Sequence, residues 1–338
     1  MANSTVDTKI LCGFRNFVLT GDNDFNLDPI WFSSDYGFME KEFSDEDFLN
    51  AIGSIRAHNL IGDSSFGYNI SKFVNRSEND DATEFKTFAT MVFTHVNAFF
   101  SFLWFLKDTS AHQNEMIAFN PFRGGQIVLM PNHETFSCAD GGNKTSEYSH
   151  EDLQKVYAII SKFNEIHPNT STLRETDFAI TKSNTLPPRG NLRPYNESSR
   201  IERALIFLTF ARRAVVLPMK IAMYMPIFES LFSSENAEIS HKVAERCAYY
   251  LGGDRAEKIK NYDTIKKAYD LRSKLLHGAT LTEHNKPEKN HNRIETQQEI
   301  SVEIDRLTRI VLTKVIMEDS EKFLAKDMSS FYKELIFT

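Results

Sequence analysis

The residues whose types and spacing best suit chemistry lie together in Ala268-Tyr269-Asp270-Leu271-Arg272-Ser273-Lys274-Leu275-Leu276-His277-Gly278. Read as a helix, the segment has an inward stripe of Ile265, Tyr269, Arg272 and Leu276 at i, i+4, i+7 and i+11, so Arg272 stands among apolar positions. A guanidinium buried without partners is costly. It needs a carboxylate, a neighbouring subunit or an anionic ligand, unless its stem snorkels from the edge of the stripe. His277 closes the helix just before Gly278. The negative helix end favours its imidazolium and keeps the ring able to exchange protons near neutral pH, although a lone histidine there also serves as a plain cap. At about 100° per residue the two side chains lie about 140° apart and do not stack on one face, but they can border one cleft if the helix packs against another copy of itself.

The elements that must hold this segment are helical. One long or broken helix is expected from about Arg200 to Phe232, interrupted near Pro218. Ser234 is expected to cap the next, in which Ile239, Val243, Cys247 and Leu251 recur at i, i+4, i+8 and i+12 before Gly252-Gly253 stops it. The motif helix runs from about Asp254 to His277, either unbroken or restarted at Asp263. A polar loop from His284 to Asn292 then precedes a fourth helix with Ile300, Ile304, Leu307, Val311 and Val315 on its apolar face. Residues 199–338 thus read as an antiparallel helical bundle with short connections.

Residues 1–180 read as a separate domain of mixed strands and helices, which makes the chain α+β. Strands are expected between Lys9 and Tyr36 and at Gln126–Met130. Ser44 begins a capped short helix with Phe48, Leu49 and Ile52. A Phe-rich helix covers about Thr83 to Leu106. Ser149 and Asp152 form a capping box for a helix with Leu153, Val156, Tyr157, Ile160 and Phe163 on one face, ending before Pro168. From Pro168 to Ser198 the composition turns to Asn, Thr, Ser, Pro and Arg, and the domain boundary is placed there. The role of this first domain, sensing or regulation included, stays open. Phe88–Leu106 just reaches the length of a membrane span, but Thr90, Thr94, His95, Asn97 and Ser101 interrupt it and favour a buried helix. No stable membrane association is expected.

The 338 residues suit two domains, and 41% hydrophobic with 25% charged residues is ordinary for a soluble protein. The 28 phenylalanines are a surplus, most of them in the N-terminal half. A net charge of −7 argues against a protein that coats nucleic acid, while leaving room for a local basic cleft. Cys12, Cys138 and Cys247 lie far apart with no CxxC, which disfavours a zinc site or disulfide framework and fits a reducing compartment. With no signal peptide visible in the opening residues, the expected location is cytoplasmic. P-loop, HExxH and GxSxG motifs are absent, and no cofactor or metal is expected.

The Arg-x4-His motif in its setting, Tyr-Asp-Leu-Arg-Ser-Lys-Leu-Leu-His-Gly, resembles the Apea-like branch of the HEPN superfamily. Ile227-Phe228-Glu229-Ser230-Leu231-Phe232 resembles the first-helix signature of that branch, and Glu238-Ile239 with Lys242-Val243 and Arg246 its second. Arg-x4-His alone is a frequent pattern; the flanking residues and the two upstream helices make the resemblance specific. It covers roughly Ala204 to Met317 and implies an all-α HEPN-like bundle following the N-terminal α+β domain.

The resemblance implies a metal-independent endoribonuclease, assembled as a homodimer through the C-terminal bundle, with RNA as substrate. Arg272 and His277 would be catalytic: a 2′-hydroxyl attacks the adjacent phosphate, His277 moves a proton and Arg272 neutralises the developing charge. Ser273 and Tyr269 would support them. Glu229 would hold Arg272 as an ion-pair partner or remain a solvated carboxylate. Arg246 would bind phosphate or brace the bundle through Glu229. Lys274, with Lys266 and Lys267, would supply positive charge for substrate or merely form a solvated face. A role in bacterial defence against phage, where RNA cleavage is toxic to the infected cell, follows from the resemblance alone. The alternative expectation is a HEPN fold that dimerises or binds RNA without cutting it.

Overall fold

The computed structural model describes residues 5–21, 24–27, 30–44, 46–62, 66–74, 82–120, 125–133, 135–167, 198–234, 239–276, 287–325 and 327–337. The chain is α+β and divides into two compact units. The first takes in Met1–Thr135 and Asn143–Ile160; the second takes in Phe136–Gly142 and the described residues from Ser161 onward. The expected boundary region, 168–197, lies outside the described residues. The assignment of Phe136–Gly142 to the second unit was not foreseen.

In the first unit, β1 (Thr5–Arg15) is a central strand, antiparallel to both β5 (Phe66–Val74) and β6 (His112–Asn120). With β3 (Asp24–Leu27), β4 (Ile30–Ser33) and β7 (Gln126–Pro131) it forms a sheet ordered β3-β4-β5-β1-β6-β7, every adjacent pair antiparallel. A separate parallel pair joins β2 (Phe17–Thr20) to β8 (Ser146–Ser149). Alternation sends neighbouring side chains of a strand to opposite faces. Ile10, Cys12, Phe14, Met116 and Ala118 share a core with α4 (Ala82–Leu103). Leu11, Ile117 and Phe119 instead pack with residues of α1 (Tyr36–Glu42), α2 (Glu46–Ile52) and α3 (Ser54–Gly62). β1 and β6 are therefore covered on both sides.

The expected strands before Tyr36 and at 126–130 are present, and so is the Phe-rich helix. The two strands that flank β1 were not anticipated. β6 opens on His112 and Gln113, polar residues that are nonetheless buried, and this hid its central place. The polar residues of α4 have local explanations: Thr90, Thr94 and Ser101 donate to carbonyls one turn back, and Asn97 accepts from Asn132. Among the described residues no helix is long and apolar enough to cross a membrane. Ser44 donates to the Lys41 carbonyl at the end of α1, a use that differs from the expected cap.

The capping box of α5 (His150–Ile166) forms as expected, with Ser149 and Asp152 exchanging hydrogen bonds of 3.3 and 3.2 Å. Its buried face carries Leu153, Val156 and Ile159; Tyr157, expected on that face, is exposed because it stands one residue out of phase with the stripe.

The second unit is built on helices. α6 (Arg200–Arg213) starts at a capping box between Ser199 and Glu202, and the chain breaks at Ala214–Val216, just before Pro218. α7 (Leu217–Phe232) follows, packed against α6, α8 (Ile239–Leu251), α9 (Arg255–Leu276) and α10 (Pro287–Met317). Two short helices, α11 (Ser320–Leu324) and α12 (Ser329–Phe337), end the unit and were not expected. α9 is unbroken, begun by reciprocal bonds between Asp254 and Glu257 rather than restarted at Asp263. α10 starts at Pro287, so the loop expected over 284–292 is helical from that residue on. Proline suits the first helical position, where its missing N–H costs nothing. The residues between Ser234 and Ile239 lie outside the described residues.

The segment Phe136–Gly142 clamps the α6–α7 corner. Ser137 donates from its backbone to Arg212 O at 2.8 Å and from its hydroxyl to Ala214 O at 2.7 Å. The buried Lys220 ammonium donates to Ala211 O and Ser137 O. The Ser137 bonds meet carbonyls that the end of α6 leaves without helical partners, and Lys220 ties the Ser137 backbone to Ala211 O. Gly141 has φ +83, and a Cβ there would approach Val215 O to 2.8 Å. We therefore expect Gly141→Ala to lower stability by about 1–3 kcal/mol through backbone strain and displacement of this corner. Urea unfolding checks this, and an unchanged midpoint contradicts it.

Candidate functional site

Arg272 comes from the last turns of α9 and Glu229 from the last turn of α7. Their side chains form an ion pair, Nη1 donating to Oε1, with 26% and 25% of the respective side chains exposed. Arg272 thus lies at the edge of its apolar stripe, supported by a carboxylate and open to solvent on one side. One turn earlier on α9, Tyr269 is buried, as are Ile265 and Ala268. Its hydroxyl lies beside the Glu229 carboxylate. Burial, then the nearby Glu229 charge, pushes the phenol above its ordinary pKa, and Arg272 opposes this in part. Cys247 on α8 is also buried, which raises its thiol well above the usual range.

The structure therefore brings Arg272, Glu229 and Tyr269 together. It sends Arg246 elsewhere. That guanidinium donates to Phe232 O at 2.8 Å and Ser234 Oγ at 3.0 Å, and it lies 4.1 Å above the Tyr332 ring. The bracing anticipated through Glu229 is thus replaced by bracing of the α7 C-terminus, where a cation meets the negative helix end. Ser273, Lys274 and Lys267 are exposed on α9, and Lys266 donates to Ser240 Oγ at 3.1 Å. His277 lies outside the described residues. Among the described residues no three His, Cys, Asp or Glu side chains converge as a metal-holding group.

Chemically, the arrangement is a cation pre-positioned by one carboxylate. Arginine carries further N–H donors beyond the one given to Glu229, in a planar fork suited to phosphate oxygens. Sequence reasoning missed a cleft between α8 and α9 lined in part by Tyr249, Arg255, Lys258 and Tyr262. The spacing of Arg255, Lys258 and Tyr262 on one helix face was the signal that would have revealed it.

Comparison of the chain with protein-family models, with curated proteins and with solved structures finds no match.

Because both partners of the Arg272–Glu229 pair are partly solvated, their coupling should be modest, about 0.5–1 kcal/mol in a double-mutant cycle of Arg272→Ala and Glu229→Ala. Additive denaturation energies for the two substitutions would show that the pair contributes no coupling.

Proposed function

We propose that this chain is a metal-independent endoribonuclease of the HEPN type, Apea-like branch, with Arg272 and His277 as its catalytic pair. The observation that carries the reading is the Arg272–Glu229 ion pair. It joins the Arg-x4-His segment on α9 to the Ile227–Phe232 segment on α7, two stretches that carry the resemblance independently. An arginine held by a carboxylate and open on one side is suited to offsetting charge on a phosphoryl oxygen as a 2′-hydroxyl attacks. His277, following α9 directly in sequence, supplies the proton transfer. Tyr269 and Glu229 position the guanidinium, while Ser273 and Lys274, exposed on the same helix, would add a supporting hydroxyl and a positive charge for the substrate. In this reading the enzyme acts in the cytoplasm, and its RNA cleavage halts phage-infected cells.

The net charge of −7 favours a second reading, a bundle that dimerises or binds RNA without cutting it. Purified chain incubated with total RNA separates the two. Cleavage should persist in EDTA, spare 2′-deoxy substrate and leave 2′,3′-cyclic phosphate or 3′-phosphate ends, since the nucleophile belongs to the substrate. His277→Ala should lower the rate at least about a hundredfold, the usual contribution of a general acid or base, with the fold intact by circular dichroism. A His277→Ala variant that cuts as well as wild type, or activity that requires Mg²⁺, rejects the mechanism.

We also propose a homodimer through the C-terminal bundle, which would bring two copies of the motif to one cleft. Light scattering at micromolar concentration should give twice the chain mass. A monomeric mass with full activity excludes a composite site.

A further inference from the structure

Along α9, Arg255, Lys258, Tyr262 and Lys266 recur at i, i+3, i+7 and i+11, which places them on one helix face. That face meets α8 in a regular series of polar and aromatic contacts. The Lys258 ammonium sits 4.8 Å above the Tyr249 ring. The Tyr262 hydroxyl is 3.0 Å from His241 Nδ1, the two rings standing edge to face. Lys266 reaches Ser240. The same face then continues to Tyr269 beside the Arg272–Glu229 pair. At roughly 1.5 Å per residue, Lys258 and Arg272 are separated by about 20 Å of helix.

At the α9 start this seam opens into a cleft of about 480 Å³, with the buried Ala248 among its lining. The volume lies within the roughly 300–1,000 Å³ of pockets that take small organic groups. Arg255 and Ile259 are exposed at its rim, while Tyr249 and Tyr262 are half-buried. Glu245 is the one carboxylate among its described lining residues, against the two cations Arg255 and Lys258. Local positive charge in a chain of net charge −7 is the reverse of what the overall balance would place there. Packing alone explains the Lys266–Ser240 bond. It does not explain why the seam widens where two aromatic rings and two cations meet.

We propose that this α8–α9 cleft binds an unpaired RNA nucleotide, its base stacking against Tyr249 and Tyr262 and displacing the Lys258 ammonium from the Tyr249 ring, so that Lys258 and Arg255 hold the flanking phosphates. Aromatic rings accept any base by its π-face, while adjacent cations follow the backbone. Glu245 offers an acceptor to a base amino group and keeps the phosphates on the opposite side. The cleft is a second anchoring point, several nucleotides from the scissile phosphate, and favours single-stranded over duplex RNA because a paired base cannot leave its stack to enter.

The choice of RNA as the occupant rests on the ribonuclease reading, but binding is measured apart from cleavage. The test uses the full chain carrying His277→Ala, so that RNA stays intact, and a short fluorescein-labelled unstructured RNA followed by anisotropy. Tyr249→Ala should weaken binding about tenfold, and Tyr249→Phe should bind as the parent does, since stacking needs the ring and not the hydroxyl. Replacing both exposed-side cations, Arg255→Ala with Lys258→Ala, should reduce the slope of log affinity against log salt by about 1.4, two single-strand phosphate contacts. The same RNA in duplex form should bind more weakly. Failure of the parent to bind RNA, a Tyr249→Ala effect within about twofold, or an unchanged salt slope in the folded double variant overturns the proposal. A chain that binds through this cleft yet cuts no RNA without the His277 substitution would reject the ribonuclease reading and leave the cleft standing.

Discussion

A helix packed on several sides by other helices must still find partners for the carbonyls of its last turn, because those groups lose water without gaining intrahelical bonds. α7 meets this constraint with side chains from three other places. Arg200 donates to Ser230 O and Ser233 O, Arg246 to Phe232 O, and Tyr332 to Leu231 O. Two of the three donors are cations, placed where the helix end is negative. Glu229 sits in this same last turn, so the caps fix where its carboxylate projects, and through it where Arg272 is held. The candidate site is therefore a consequence of how α7 ends.

α7 is tied to α10 by a buried polar link as well. Tyr224 donates to Asp305 at 2.6 Å, and Asp305 also pairs with Arg309 one turn on. Asp305 is almost fully buried, so removing either partner would leave a carboxylate short of compensation in a place where that is costly. Such a link specifies the mutual register of two helices more sharply than apolar contact does, since a shift by one turn would strand it.

In the first unit the organising device is different. Part of the phenylalanine surplus meets in one core, where Phe14 contacts Phe17, Phe32 and Phe100 with ring centroids 4.6 to 5.8 Å apart at tilted or edge-on angles. Phe17 stacks on Tyr148 at 5.3 Å. These rings fill the space between the sheet and α4, and their preference for offset and edge contacts explains why large side chains from separate strands and helices fit together there.

Much of the second unit was legible in the sequence because helices advertise themselves locally. The spacing of Ile304, Leu307, Val311 and Val315, the break ahead of Pro218 and the stop at Gly252-Gly253 all depend on residues within a few positions of one another. The pairing of Arg272 with Glu229 could be suspected, since an arginine on an apolar stripe must have an answer. Glu229 was named for that role through the resemblance, with a solvated carboxylate as the alternative, and packing decided between the two; the diversion of Arg246 to Phe232 O could not be read, because it joins residues brought close only by helix packing. β6 was missed for the same reason: its polar opening pairs with β1, and its burial is a property of that packing and not of its own residues. The use of Ser137 and Lys220 to complete the α6–α7 corner went unseen as well. Local periodicity determined which segments are helices and which faces are apolar. Only the tertiary structure decided which polar groups meet, because those meetings satisfy demands that arise when the faces have already been buried.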